Sequence, residues 1–201
     1  MPAILLATLN AKYIHSALGL RCLMANLGSL RQEAALLECD LTLRPLEIVE
    51  RLLAFEPRIV GLGVYVWNVS QTTEVVALLR RLRPHLTIIL GGPEVLCETD
   101  LPPVAALADY IITGEADLKF AEVCRAILPE TPVAGAADVA VSSSAAEQPG
   151  PNSEPAPRPR IIRASHPRLD DLALPYDFYS DADIAHRIVY VEASRGCPFG
   201  C

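Results

Sequence analysis

Arg58-Ile59-Val60-Gly61-Leu62-Gly63-Val64 carries one charge, at its first residue, and is otherwise free of polar side chains. A short run of this kind reads as a strand covered on both faces, as in a parallel sheet between helical layers. Its flanks support that. Upstream, Pro45 suits the first turn of a helix carrying Leu46, Val49 and Leu53 on one face. Downstream, Val75, Leu78, Leu79 and Leu82 fall at i, i+3, i+4 and i+7, the spacing of one helical stripe. The alternation continues in both directions. Ala3 to Thr8, Ala34 to Cys39, Leu86 to Leu90 and Asp109 to Thr113 read as further buried strands. Leu20, Leu23, Met24 and Leu27 mark one more helix, and Phe120, Val123, Cys124 and Ile127 another. Leu101 to Leu107 is a shorter helix candidate.

Five βα units in succession predict an α/β fold: a flavodoxin-like, Rossmann-like five-stranded parallel sheet with helices on both faces. Right-handed crossovers favour the strand order 2-1-3-4-5. In that order strands 1 and 3 meet where the sequence of strands reverses, and ligands bind outside their carboxyl ends. The loops Asn10 to His15 and Tyr65 to Ser70 are therefore predicted to share one pocket.

The 201 residues allow one full domain and the beginning of another. Residues 1–128 form the first. Residues 129–160 are rich in Ala, Ser, Pro and Gly and read as a flexible linker. Residues 161–201 read as a connecting arm and the start of a second domain. Across the junction of these two segments Arg158, Arg160, Arg163 and Arg168 read as a modest basic, solvated face. Leu174 to Tyr179 reads as a packed arm, and Ile188 to Glu192 as a strand. The net charge of -7 argues against a general nucleic-acid surface. No apolar run approaches the roughly 18 to 20 residues of a membrane helix. The apolar N-terminus lacks the basic start of a signal peptide, and a cytoplasmic location is expected.

Of the six cysteines, Cys22, Cys39, Cys97 and Cys124 are scattered, and Cys22 and Cys124 read as small core hydrophobes. Cys197 and Cys201 differ. They stand four apart behind a predicted strand, in a loop with Gly196, Pro198 and Gly200, and can converge on one metal centre. Thiolates are the natural ligands of iron–sulfur clusters, although two do not complete such a site. A zinc or redox pair is the plainer reading. The run Arg195-Gly196-Cys197-Pro198-Phe199-Gly200-Cys201 resembles the start of the C-x3-C-x2-C signature of the radical S-adenosylmethionine (radical SAM) superfamily, which follows the first strand of a partial barrel. The resemblance implies a [4Fe–4S] cluster with Cys197 and Cys201 as two ligands, and one iron left open for S-adenosylmethionine. The third cysteine of the signature would fall beyond Cys201.

Residues 1–128, linked to that run, resemble the cobalamin-binding domain found in front of many radical SAM domains. Gly91-Gly92-Pro93 resembles the family's glycine turn after strand 4, where absent side chains let a flat ligand approach the backbone. Gly114-Glu115 resembles the turn after strand 5, with Ala116 and Asp117 standing where the family often has a second Gly-Glu. Tyr65, Trp67, Asn68 and Ser70 are similar to the family's loop after strand 3, and Asn10, Lys12 and His15 to a first-loop pattern in one subgroup. Trp67 either lines the corrin face or closes the end of the sheet. The D-x-H-x-x-G motif of the mutases and methionine synthase is absent. His15 lies in H-x-x-x-G with Gly19, beside an expected helix cap at Ser16, and reads as a hydrogen-bonded residue in preference to a cobalt ligand. The resemblance thus implies binding without a histidine ligand, the nucleotide tail inserted in the fold.

Two other owners of this topology fit less well. A response-regulator receiver needs carboxylates beyond strand 1, and Thr8, Leu9, Asn10 and Ala11 supply none. A flavodoxin needs a phosphate cradle that Asn10-Ala11-Lys12-Tyr13 does not provide. The expectation is a cobalamin-binding module of a radical SAM enzyme, of methyltransferase type, inactive as this length of chain alone; no catalytic residue is identified. A stand-alone α/β ligand-binding module is the alternative. The only partner implied is a small-molecule cofactor.

Overall fold

The computed structural model describes residues 1–128 and 160–195. Strands form at β1 (Ile4–Asn10), β2 (Ala34–Asp40), β3 (Ile59–Gly63), β4 (Thr87–Gly91) and β5 (Tyr110–Thr113). A sixth, β6 (Arg160–Arg163), pairs with β5. The order is β2-β1-β3-β4-β5-β6 and every pairing is parallel. The predicted order of the first five strands holds, and the sheet is flavodoxin-like.

Alternate residues of each strand feed two cores because successive Cβ atoms point to opposite faces. On one face Leu5, Val60, Leu62, Ile88 and Leu90 pack with Val49 and Leu52 of α2 (Pro45–Leu53) and Val75, Val76 and Leu79 of α3 (Val69–Leu82). On the other, Ile4, Leu6, Ile59, Ile89 and Ile112 pack with Leu20 and Met24 of α1 (Leu18–Ala25) and Phe120, Val123 and Cys124 of α4 (Asp117–Ile127). Each buried aliphatic side chain contributes roughly 1.5–3 kcal/mol. Cys22 and Cys124 are buried, as expected.

Arg80 ties α3 to the entry ends of β4 and β5. Its Nε donates to Leu107 O and its Nη1 to Leu86 O, each at 2.6 Å. Nη2 pairs with Asp109, whose carboxylate also accepts the Ile88 N–H at 2.8 Å. Arg80→Met would strand two carbonyls in a nearly buried setting and remove one guanidinium from Asp109. A loss of about 2–4 kcal/mol is expected in urea denaturation; an unchanged midpoint would rule this out.

Several local expectations are corrected. Helix α1 ends at Ala25, so Leu27 lies outside it although fully buried. Ala17, not Ser16, occupies the N-cap position, and the Ser16 hydroxyl donates to Ile188 O. Leu101 to Leu107 shortens to a 3-10 turn at Pro103–Leu107. The four residues of β6 were read only as part of a basic face. Ile188 to Glu192 is no strand: its one ladder contact is an isolated parallel bridge of Ile188 to His15. Tyrosine side chains replace the missing partner strand. The Tyr179 hydroxyl donates to Tyr190 O at 2.8 Å and accepts from Tyr190 N, while the Tyr176 hydroxyl does the same with Glu192. The linker reading of 129–160 falls, up to residue 159, outside the described residues, as do Cys197 and Cys201.

The arm is clamped to the first domain by a nearly buried ionic group. Arg21 of α1 bonds Glu38 of β2 and Asp183 of α5 (Asp181–His186), each at 3.0 Å. Arg187 bonds the same two carboxylates at 2.7 and 3.0 Å. Two guanidinium groups thus face two carboxylates, and none of the four side chains is more than 13% exposed. Among the described residues, no helix is long and apolar enough to cross a membrane.

Candidate functional site

The loops after β1, β3, β4 and β5 gather at the carboxyl end of the sheet. Val64 N–H donates to Gly91 O at 2.8 Å and Glu94 N–H to Val64 O at 3.3 Å, which joins the β3 and β4 loops directly. Asn68 fixes the neighbouring pair. It is fully buried; its Nδ2 donates to Leu9 O and Gly63 O at 3.0 and 3.1 Å, and its Oδ1 accepts from Tyr65 N. The first and third loops meet through Asn68, but the predicted shared pocket is not found: of the two loops only Tyr65 lines the cavity described below.

Beneath these loops, on the α1/α4 face, lies a cavity of about 270 Å³. Glycines make room for it. Gly61 and Gly63, two apart on β3, both turn the position of their missing side chains to this face. A Cβ on Gly61 would sit 2.9 Å from the Phe120 ring, and one on Gly63 3.0 Å from the Tyr65 ring. Gly91, in register with Gly63, has no atom within 3.7 Å of that position. Leu18, Leu20, Cys22 and Leu23 line the side formed by α1, and Ile112 and Phe120 the opposite one. At the mouth, Gly92 takes φ +106, and a Cβ there would lie 2.5 Å from Val64 O. Only glycine fits that turn without moving backbone. Gly114 (φ +84) stands in the same relation to Ala164 O.

The polar groups are concentrated at the mouth. Arg195 Nη1 bonds Asp117 at 2.8 Å and approaches Glu115 at 3.6 Å, and its Nη2 bonds Glu192 at 2.8 Å. One guanidinium therefore serves three carboxylates, of which Glu115 is also bonded to the exposed His166 Nδ1 at 2.8 Å. The same Nη2 lies 3.8 Å from the Cys22 sulfur. Burial, reinforced by the nearby Asp117 charge, pushes the Cys22 thiol up to about 11, so it is no nucleophile at neutral pH. Burial also raises the Tyr65 phenol. The Tyr65 ring stacks on Trp67 with centroids 4.6 Å apart, and Trp67 stays half-exposed while its Nε1 donates to Leu9 O.

Of the residues singled out in the sequence, Tyr65, Gly91, Gly92, Gly114 and Glu115 line the cavity. Asn10, Lys12, His15, Trp67, Asn68, Ser70 and Pro93 stand around the same end of the sheet without lining it. Asn10 is spent on loop structure, donating to His15 O and Glu38. His15 Nδ1 is hydrogen-bonded to the Tyr190 hydroxyl at 2.6 Å. Lys12, Ser70 and Pro93 are exposed. Sequence reasoning missed Gly61, Gly63, Cys22, Asp117, Glu192 and Arg195. The glycine pair inside a central strand was the available signal, because such glycines mark close approach of a ligand or another group. Among the described residues, no group of three or more His, Cys, Asp or Glu is placed to hold a metal.

The sequence is 25% identical over 158 residues to TokK, a cobalamin-dependent radical SAM methyltransferase of Streptomyces tokunonensis, covering 73% of this chain and 21% of that protein. It is 26% identical over 148 residues to the 2-(S-pantetheinyl)-carbapenam-3-carboxylate methyltransferase of Streptantibioticus cattleyicolor, with the same coverage of 73% and 21%. The chain thus spans about a fifth of the length of these curated relatives. A cobalamin-binding protein from Desulfitobacterium hafniense DCB-2, known from a crystal structure, superposes with a TM-score of 0.46 at 22% identity, covering 63% of this chain and 59% of that one. The B12 binding domain family matches residues 4–124, which is more than half of the sequence and all of the cavity apart from Glu192 and Arg195. By that match the chain belongs to the B12-binding domain family.

Proposed function

We propose that this chain binds cobalamin with the corrin ring across the carboxyl ends of β1, β3, β4 and β5 and the nucleotide tail in the cavity below. The glycine-floored cavity at the reversal of strand order carries this reading. Its 270 Å³ is below the roughly 300–1,000 Å³ of sites that enclose a drug-sized ligand, so it suits one limb of a large cofactor. The residues present fit that limb. Gly61, Gly63 and Gly91 open an apolar floor for a flat base, and one buried oxygen of Asp117 has no hydrogen-bond partner.

Tyr65, Gly91, Gly92, Gly114 and Glu115 form the wall and mouth of the tail site. Trp67, Lys12 and Ser70 face the ring from the rim, and Pro93 stiffens the turn that brings Gly92 to it. Asn10, His15 and Asn68 act by positioning, since their polar atoms hold the loops. His15, bonded to Tyr190, is not a cobalt ligand in this reading. Bound cobalamin supplies methyl transfer or a redox partner.

The domain of residues 1–128 is joined through 129–160 to an arm, 161–201, whose first residues complete the sheet and which leads into a radical SAM domain. Support comes from Cys197 and Cys201, two of the three thiolates such a domain uses for its [4Fe–4S] cluster, and from the activities of the two methyltransferases. The parent reaction is then a methyl transfer using S-adenosylmethionine. Anaerobic mixing with hydroxocobalamin followed by gel filtration is expected to give a coloured complex with one corrinoid per chain. Protein that elutes colourless sinks the reading.

A further inference from the structure

We propose that Asp117 reads the tail of the corrinoid, one of its carboxylate oxygens accepting a hydrogen bond from a hydroxyl of the tail's ribose. This rests on the cobalamin reading above. Asp117 opens α4, lines the cavity and is 7% exposed. Its two oxygens differ. Oδ2 accepts from Arg195 Nη1 at 2.8 Å, whereas Oδ1 is buried with no hydrogen-bond partner. A buried carboxylate oxygen left unpaired is costly, and native proteins rarely retain one without use.

The chemistry of the surroundings narrows the donor. Arg195 is engaged by Glu115, Asp117 and Glu192, and His166 by Glu115, so these groups are already committed and none is offered to an anion. A corrinoid tail presents an anionic phosphodiester, a flat base and ribose hydroxyls. The phosphodiester carries no hydrogen to donate and so cannot be the partner of Oδ1. The base suits the apolar floor of Gly61, Gly91, Ile112 and Phe120. The hydroxyl remains as a neutral donor for Oδ1. A carboxylate oxygen is a strong acceptor for such a donor. Tyr65 also lines this region, but a hydroxyl that both donates and accepts selects nothing by itself.

The test compares hydroxocobalamin with cobinamide, which keeps the corrin ring and lacks the nucleotide, by absorbance titration of the whole chain. The unaltered protein is expected to prefer hydroxocobalamin. Asp117→Ala is expected to weaken hydroxocobalamin about tenfold or more and to leave cobinamide within about twofold. Asp117→Asn, of equal size and with a carbonyl acceptor, is expected to lose about threefold for hydroxocobalamin alone, and it decides the matter should the alanine variant not fold. Equal weakening for both corrinoids would mean that Asp117 only steadies α4, and unchanged affinity would mean that it meets no tail; either overturns the assignment. Failure of the unaltered protein to bind either corrinoid would instead remove the cobalamin reading itself.

Discussion

Gly91→Leu is expected to weaken cobalamin binding at least about 100-fold while leaving the fold intact, the largest effect of any single change at the cavity. The two halves of that expectation have separate causes. Gly91 lies at the end of β4 with its missing side chain directed at the cavity, and the nearest atom to a new Cβ is Ile112 O at 3.7 Å, an ordinary contact. No positive φ is needed there, so leucine meets no backbone strain. Its branched end would take up space that the tail needs, and in the free protein would gain contacts with the apolar walls. Thermal stability should therefore stay within a few degrees or rise. Gly61→Leu makes a poor substitute, because its Cβ would press on the Phe120 ring at 2.9 Å and damage the core directly. Titration with hydroxocobalamin, with circular dichroism as the folding control, checks the result. A folded Gly91→Leu protein with unaltered affinity would place the tail somewhere else.

The second large effect concerns stability. Glu38→Ala should cost about 3–5 kcal/mol, because Arg21 and Arg187 would be left facing Asp183 alone. For a chain of this size that corresponds to a melting temperature lower by about 10 °C. Burial would raise the Glu38 carboxyl, but hydrogen bonds from Arg21 and Arg187 more than offset it and hold the group below its ordinary value. Asp183 behaves likewise: burial works against it, and bonds from Ser180, Arg187 and Arg21 hold it far below the usual carboxylate range. Groups depressed in the folded state contribute fully above their unfolded values, near pH 4, and lose that contribution as pH falls through the folded ones. Stability should thus decline below about pH 4 in the unaltered protein, and more gently in Glu38→Ala, which has less to lose. Identical acid profiles for the two proteins would contradict the assignment.

How far the fold was legible depended on what kind of interaction made each part. The strands β1, β3, β4 and β5 are largely apolar on both faces, and β2 is apolar as far as Leu37, which leaves runs that hydropathy alone detects. By contrast β6 has two arginines in four residues, with only Ile161 and Ile162 to signal a strand, because an outer strand buries little. Ile188 to Glu192 shows the reverse error. Its β-branched and aromatic run is real, but Tyr176 and Tyr179 hydroxyls bond its backbone, and no hydropathy pattern predicts a side chain standing in for a strand. At the site, the glycine turns at Gly92 and Gly114 were legible because positive φ has a residue signature. The pairing of Arg195 with Asp117 was not. The two are 78 residues apart, and only the folded arm brings them together.

The outermost of the described strands also bears on how this molecule tolerates its own kind. An open row of peptide groups invites a neighbour to add itself to the sheet, and copies of one chain are the most abundant neighbours. Here the exposed border is four residues long and starts and stops with a guanidinium group, one of them held outward by Glu98 at 2.5 and 2.7 Å. A second copy approaching edge to edge would bring like charges together at both corners. Crowded solutions should then disfavour pairing of two copies through this edge.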